Sequence, residues 1–393
     1  MILSPLQCAY LLNREHGACH VYLEFQGGEV SSEELKKAWI SLFQAHPILK
    51  GKIDEYGTID IPDDESADAA EASFHVIEGN MPDIQFRERT KARIIPMDKE
   101  GLCHLYVGKT GEGKTWLAFE LDLIQCDVLS FLILLRDLAR LYKGEKIQAN
   151  RVFFKDRAID KDTRKAGREY WVKRLEGAIP SEWKGASSQA IYDSEEAFIT
   201  IEAVKELEKK ASQYDCTLDE LLLLEFCRGL MEENKTNELL VNVPLFERDD
   251  DPHDSVGDFT GSMIFRAEYD EDHDTYIKTN RQLYTEDYKH SSMDGTMTQQ
   301  ILKQKKTSMY PVPIVFSPSI QVPFPAPECE EVFGKMIYYI SQTPGVKIDA
   351  QAYLNDKGLY LKWVYIKEDT PQADVKRLID TYRKRLTQLA NNT

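Results

Sequence analysis

Residues 116–142 set an apolar strand, a doubly charged junction and an apolar helix end to end, and that succession restricts how the chain can fold. Trp116-Leu-Ala-Phe-Glu-Leu121 reads as the strand, and residues 128–142 read as the helix, which stops at Lys143-Gly144 as glycine stops usually do. Between them lies D-x-x-x-x-D-x-x-S, with Asp122, Asp127 and Ser130 at the strand-to-helix turn. An unpaired buried carboxylate is expensive, so both aspartates need partners. An arginine satisfies either, and a helix N-cap role suits Asp127.

Just upstream, Gly108-Lys-Thr-Gly-Glu-Gly113-Lys114-Thr115 matches the phosphate-loop pattern G-x-x-x-x-G-K-T letter for letter. A phosphate loop must open a helix, whose N-terminus holds the anion. Here the following residues, 115–121, are strand-like, and His104-Leu-Tyr-Val107 mirrors them across the glycine-rich centre. The expectation is therefore a β-hairpin rather than a nucleotide site.

Strand and helix signals alternate along the rest of the chain. His20 to Gln26 alternates like a strand, and Ser31 with Glu34 caps a helix that runs to about His46, where Pro47 ends it. Strands are expected at 52–61 and 73–78, with the acidic stretch 60–71 read as a solvated loop. A helix is expected at 163–175, a strand at 197–202 and a helix at 203–214. Thr217 and Glu220 cap a strongly apolar helix at 221–230. Strands at 238–246 and 261–269, an acidic loop at 249–254 and two polar helices within 274–306 follow. The last strands are 312–316, 334–342 and 346–365, the last turning at Asn355 to Gly358 before a C-terminal amphipathic helix. The fold class is α/β with mixed sheets, in two halves, 1–180 and 181–393, divided within the small-residue stretch 180–193.

Composition narrows the function. A length of 393 residues suits two large halves, and 42% hydrophobic with 29% charged residues is ordinary for a soluble protein. A net charge of −17 argues against nucleic acid as a partner. No run is long enough to span a membrane and no export signal opens the chain, which reads as cytoplasmic. Seven dispersed cysteines without CxxC spacing indicate reduced thiols and no metal site.

Several segments together resemble the condensation superfamily of nonribosomal peptide synthetases, and within it the heterocyclization domains. Leu3-Ser-Pro-Leu-Gln7-Cys-Ala9-Tyr10-Leu-Leu-Asn-Arg14 resembles the family's opening motif, and His46-Pro-Ile-Leu49 its H-P-M-L. Asp122, Asp127 and Ser130 match the D-x-x-x-x-D-x-x-S that replaces the H-H-x-x-x-D of ordinary condensation domains. Tyr170-Trp171 with Arg174 and Leu175 resembles Y-W-x-x-R-L, and Val256-Gly-Asp258-Phe-Thr260 matches V-G-D-F-T. Pro313-Ile-Val-Phe-Ser317 resembles P-V-V-F-T, and Ile340-Ser-Gln342-Thr-Pro-Gly-Val-Lys-Ile-Asp349 resembles I-S-Q-T-P-Q-V-x-L-D. The matches keep their order over nearly the whole chain. Departures are Gly345 for glutamine, Val-Pro after Asn242, and Lys362-Trp-Val where N-W-D is usual.

The resemblance implies two chloramphenicol-acetyltransferase-like halves forming a V around a tunnel. It implies no directly bound cofactor, a monomeric chain, and substrates on the phosphopantetheinyl arms of donor and acceptor carrier proteins. The implied reaction joins an acyl thioester to carrier-bound Cys, Ser or Thr and closes a thiazoline or oxazoline ring, as in siderophore and other natural-product biosynthesis. Leu123 stands where the second histidine would be, so no imidazole is expected at that motif. Ser317 and Asp349 fall in the motifs that carry the family's cyclodehydration pair, and a surface strand carboxylate is the plain alternative for Asp349. Asn242 is a candidate for bonding the amide intermediate, or else an ordinary strand asparagine. Asp122 and Asp127 complete the candidate catalytic set, with Ser130, Asp258, Thr260 and Gln342 shaping the site. The rival readings are a condensation-only enzyme that makes an amide or ester, and a silent scaffold that docks carriers; the chain also reads as freestanding.

Overall fold

A computed structural model describes residues 2–17, 19–63, 66–80, 84–97, 101–149, 159–187, 190–246, 248, 255–305, 309–320 and 324–391. The acidic stretch 249–254 lies outside them. The chain forms two compact units. The first comprises Met1–Asp156, Phe246–Thr260 and Phe324–Pro344, and the second Arg157–Leu245, Gly261–Pro323 and Gly345–Thr393. A single cut near residue 180 does not describe this division, because two late segments join the first unit.

In the first unit, the helices are α1 (Pro5–Asn13), α2 (Ser32–Ala45), α3 (Ser66–Ala72), α4 (Ile84–Lys91) and α5 (Val128–Tyr142). Its strands β1 (His20–Gly27), β4 (Phe74–Asn80), β5 (Cys103–Lys109) and β6 (Thr115–Asp122) build a sheet, and β2 (Lys52–Ile53) pairs separately with β3 (Ile59–Asp60). The sheet order is β11-β1-β6-β5-β4, where β11 (Gly334–Gln342) arrives from far along the chain behind helix α11 (Pro327–Phe333). It pairs antiparallel with β1 from His20↔Gln342 to Gly27↔Gly334, which explains why 324–344 belongs here.

The phosphate-loop lookalike is a hairpin. β5 and β6 pair antiparallel out to Lys109↔Thr115, and the turn closes with Thr110 N–H to Lys114 O at 2.7 Å. Gly113 takes φ +79°, a conformation a side chain would strain. Strand β6, not a helix, follows Lys114.

One face of this sheet is apolar. Phe119 meets Trp39 of α2 edge-on at 5.4 Å and Phe131 of α5 at 5.2 Å between ring centroids. The other face carries His20, Tyr22 and Glu24 on β1 opposite Asp122, Glu120 and Ala118 on β6. Arg87 grips Glu24 through two bonds of 2.7 Å, while Arg93 and the Tyr106 hydroxyl hold Glu120 at 3.0 and 2.9 Å. Burial pushes Glu120 up to about 7, with Arg93 opposing the rise.

In the second unit, strands β7 (Tyr192–Thr200), β8 (Glu238–Phe246), β9 (Thr260–Glu268), β10 (Ile314–Ser319), β12 (Ile348–Asn355) and β13 (Gly358–Ile366) form a sheet of order β7-β13-β12-β10-β8-β9. Its helices are α6 (Lys161–Arg174), α7 (Ile201–Gln213), α8 (Leu218–Asn234), α9 (His273–Lys289), α10 (Gly295–Lys305) and α12 (Gln372–Asn391). Thr217 and Glu220 form the expected capping box at the start of α8. The core gathers Leu207, Phe226, Phe316, Trp363 and Tyr382.

Several elements go beyond the sequence expectation or differ from it. The opening segment is a helix, α1, because Ser4 and Gln7 form a capping box and Pro5 fits the first turn. Helix α3 occupies part of the stretch read as an acidic loop. Strand β7 starts at Tyr192, since the β13 ladder extends to Tyr192↔Ile366 and supplies partners its polar residues did not advertise.

Candidate functional site

Asp127 is the N-cap of α5, its Oδ1 accepting from Ser130 N–H at 2.8 Å. The same oxygen accepts from Arg248 Nη2 at 2.6 Å, and Oδ2 accepts from Phe259 N–H at 3.0 Å and from the Thr260 hydroxyl at 3.3 Å. Ser130 Oγ lies 2.7 Å from Asp127 Oδ1 and accepts from Gly257 N–H at 3.0 Å. Arg248 Nη1 donates to Ser255 O at 2.6 Å. Asp127 and Ser130 therefore tie α5 to the V-G-D-F-T segment, with Asp258 buried in the same turn. Every acceptor direction of the Asp127 carboxylate is used.

Asp122 ends β6 and is buried. Arg14 Nη1 donates to its Oδ2 at 2.6 Å, and Ile124 N–H to its Oδ1 at 3.0 Å. Burial raises the Asp122 carboxyl, with Arg14 as the main opposing influence. The arginine partners expected for the two aspartates are thus Arg14 and Arg248. Gln342, at the end of β11, donates its amide to the Lys91 carbonyl.

One expectation at this motif is corrected. Leu123 is no histidine, yet His20 sits directly across the ladder from Asp122. Its imidazole is fully buried, and neither ring nitrogen has a hydrogen-bond partner among the described residues. Burial, helped by Arg93 and Arg14, lowers it to about 3, so it is neutral.

Three further motifs also act as clasps. Gln7 donates to Ile124 O at 2.8 Å, just past Asp122, and His46 Nε2 lies 2.9 Å from Asp137 Oδ2 on α5. In the second unit Tyr170 and Arg174 both bond Asp287, at 2.7 and 3.0 Å.

Ser317, Asp349 and Asn242 belong to the second unit. β10 runs parallel to both β12 and β8, with Val315 opposite Asp349 on one side and Asn242 on the other. Directly opposed residues send their side chains to the same face, so Asn242, Ser317, Asp349 and Gln351 share one face. The opposite face, with Phe316, Ala350, Ala352 and Trp363, is core. Ser317 Oγ donates to Asp349 Oδ1 at 2.7 Å, and Gln351 Nε2 donates to Oδ2 at 2.7 Å. Asp349 is 8% exposed, not a surface carboxylate. Burial lifts it from 3.8 to about 6, while the bonds from Gln351 and Ser317 pull the other way. Asn242 Oδ1 is buried without a hydrogen-bond partner among the described residues. A carboxyl that titrates near neutrality beside a hydroxyl is equipped to give and take a proton.

The family model described as "Condensation domain" matches residues 1–393. The chain belongs to the condensation-domain family. Condensation-domain relatives with curated names include pyochelin synthetase PchE of Pseudomonas aeruginosa, 24% identical over 428 residues that cover 100% of this chain and 29% of PchE. Phenyloxazoline synthase MbtB of Mycobacterium tuberculosis is 24% identical over 92% of this chain and 28% of its own length. The chain thus spans under a third of these relatives. Among solved condensation-type structures, the EpoB NRPS cyclization-docking bidomain from Sorangium cellulosum superposes over 100% of this chain and 84% of that one, with TM-score 0.86 and 18% identity. The mixed α/β fold of this chain is the fold of that domain.

Gln351 was not among the residues expected at this site of the condensation domain. Its signal is the period of two: it follows Asp349 by two positions on a strand and must share its face. Arg14 is part of the opening motif, but nothing local links it to Asp122. Among the described residues, no cluster of three or more His, Cys, Asp or Glu is arranged to hold a metal ion, and no helix is long and apolar enough to cross a membrane.

Proposed function

We propose that this condensation domain catalyses heterocyclization: it joins a carrier-bound acyl thioester to carrier-bound Cys, Ser or Thr and then closes the ring to a thiazoline or oxazoline. The observation that carries this reading is the 2.7 Å contact between Ser317 Oγ and Asp349 Oδ1 on a buried polar face. The aspartate-serine motif at Asp122, Asp127 and Ser130, and the likeness to domains whose names speak of cyclization and oxazoline synthesis, support the same reading.

In the first step the substrate amine attacks the thioester carbon. The C–N bond forms, the C–S bond breaks, and the donor arm leaves as a thiol with the proton the amine gives up. Alignment of two tethered substrates supplies much of the acceleration, and no side chain is required as base. In the second step the Cys thiol, or the Ser or Thr hydroxyl, adds to the new amide carbonyl, its proton passing to the carbonyl oxygen. The resulting hydroxyl then departs as water. Protonated Asp349 supplies that proton through the Ser317 hydroxyl, the ring N–H returns one to Asp349, and a C=N bond remains. Asn242 Oδ1 accepts from the amide N–H before it is lost.

The partners are donor and acceptor carrier proteins, and phosphopantetheine arms present the substrates. Intact-mass analysis of a Cys-loaded carrier incubated with donor thioester and this protein tests the proposal. Ring closure removes about 18 Da beyond condensation, and Asp349→Asn or Ser317→Ala retains the heavier linear product. An unchanged ring product from both variants rejects the assignment, and a linear product from the wild type assigns condensation alone.

A further inference from the structure

The two oxygens of Asp349 face donors of different kinds. Oδ1 meets the Ser317 hydroxyl, which rotates and can accept as readily as it donates. Oδ2 meets an amide nitrogen, Gln351 Nε2, which only donates. A carboxyl proton needs an oxygen whose neighbour can accept from it. Oδ1 meets that condition when the Ser317 hydroxyl turns, and Oδ2 does not while Nε2 is in place.

An ionised carboxylate only accepts, so the Gln351 amide presents Nε2 to Oδ2. Gln351 pairs across the β12–β13 ladder with Lys362, on the same face. Among the described residues of this face, Lys362 on β13 and Glu196 on β7 form an ion pair with one another, and Glu238, four positions before Asn242 on β8, pairs with Arg266. Tyr353 follows on β12, and Asn242 on β8 and Val364 on β13 bring no charge.

We propose that Gln351 is a positioning residue that holds Oδ2 of Asp349 with an irreversible donor and so confines the exchangeable proton to Oδ1 and the Ser317 hydroxyl. The inference rests on reading Ser317 and Asp349 as the proton-transfer pair. It gives the pair a direction: protons enter and leave Asp349 only on the side where Ser317 stands. Without the Gln351 donor, the carboxylate loses one of its two hydrogen bonds, its proton affinity rises, and the proton populates Oδ2, where no relay waits.

The test follows Asp349 by carbon-13 NMR of the full chain labelled at aspartate Cγ, its signal assigned by its loss in Asp349→Asn. Gln351→Met, similar in volume and without a donor, is expected to raise the Asp349 midpoint by about one pH unit, a tenfold change in proton affinity. The turnover of ring closure is expected to fall while the concentration dependence for the linear intermediate stays the same. A midpoint that stays put or falls in a folded Gln351→Met protein overturns the proposal. Where that variant does not fold, Gln351→Asn, which withdraws the amide by one methylene, gives the same comparison. A wild type that never expels water, yet shows the midpoint shift, refutes the cyclization reading and leaves the positioning role intact.

Discussion

Arg248 Nη2 stands 2.6 Å from Asp127 Oδ1, and the two residues are 121 positions apart in the chain. That bond, buried at both ends, holds the V-G-D-F-T segment against the start of α5. Removing one member of a buried pair leaves the other charge uncompensated. Arg248→Met is expected to cost about 3 kcal/mol in urea denaturation. Hydrogen exchange at the Gly257 and Phe259 amides is expected to quicken more than exchange elsewhere, and a uniform change along the chain counts against the clasp.

The Asp349 carboxyl makes stability depend on pH. Its folded value of about 6 lies above its ordinary 3.8, so ionisation is harder in the folded protein. The folded state binds the extra proton, and the contribution of this group falls as pH rises from about 4 to about 6. Asp349→Asn is free of that loss. Its stability relative to wild type is expected to improve by up to about 3 kcal/mol between about pH 4 and about pH 7.5. Paired denaturation curves at the two pH values measure it, and an identical difference at both dismisses a raised carboxyl.

Gly345 stands where the family usually has glutamine, and the structure supplies the reason. Its φ is +79°, and a Cβ there would lie 2.6 Å from Cε1 of Tyr310. Tyr310 also blocks a side chain at Gly185, and packs against Trp183 at 5.3 Å between centroids. Gly345→Gln is expected to destabilise by about 2 kcal/mol. Adding Tyr310→Ala relieves the collision and leaves the backbone strain, so a double-mutant cycle should show favourable coupling. Additive losses contradict the packing argument.

Lys114, which completes the phosphate-loop lookalike, is exposed at a hairpin turn. Lys114→Ala is expected to change stability by less than about 0.5 kcal/mol. Titration calorimetry with ATP is expected to register no binding in either protein, and saturable heat in the wild type alone overturns the hairpin reading.

Much of the architecture was legible in the sequence because its signals are local. The β5–β6 hairpin, the span of α5, the caps at Ser31 and Thr217, and β8 and β11 all follow from periodicity, turn residues and capping chemistry. Helix α4 and strand β7 were less visible, since α4 is largely polar and the residues of β7 are acidic; β7 borrows its order from the β13 ladder. Asp122 and Asp127 advertised a need for partners, but Arg14 and Arg248 come from distant parts of the chain, and sequence spacing carries no distance of that kind. The Ser317–Asp349 contact rests on the parallel register of β10 and β12, which the sequence alone leaves undetermined. His20 was hidden for the same reason, being next to Asp122 only through the β1–β6 pairing.

The late arrival of β11 bears on the order in which this protein becomes a protein. Strand β1 is synthesised long before its outer neighbour, which is not complete until residue 342. Until then β1 offers a row of unpaired amides and carbonyls, the kind of template that recruits foreign strands. Truncation near residue 180 would freeze the chain in that state. The first unit is therefore sealed only after residues 157–245 and 261–323 of the second have been made, and its solubility during synthesis depends on sequence that lies beyond most of the second.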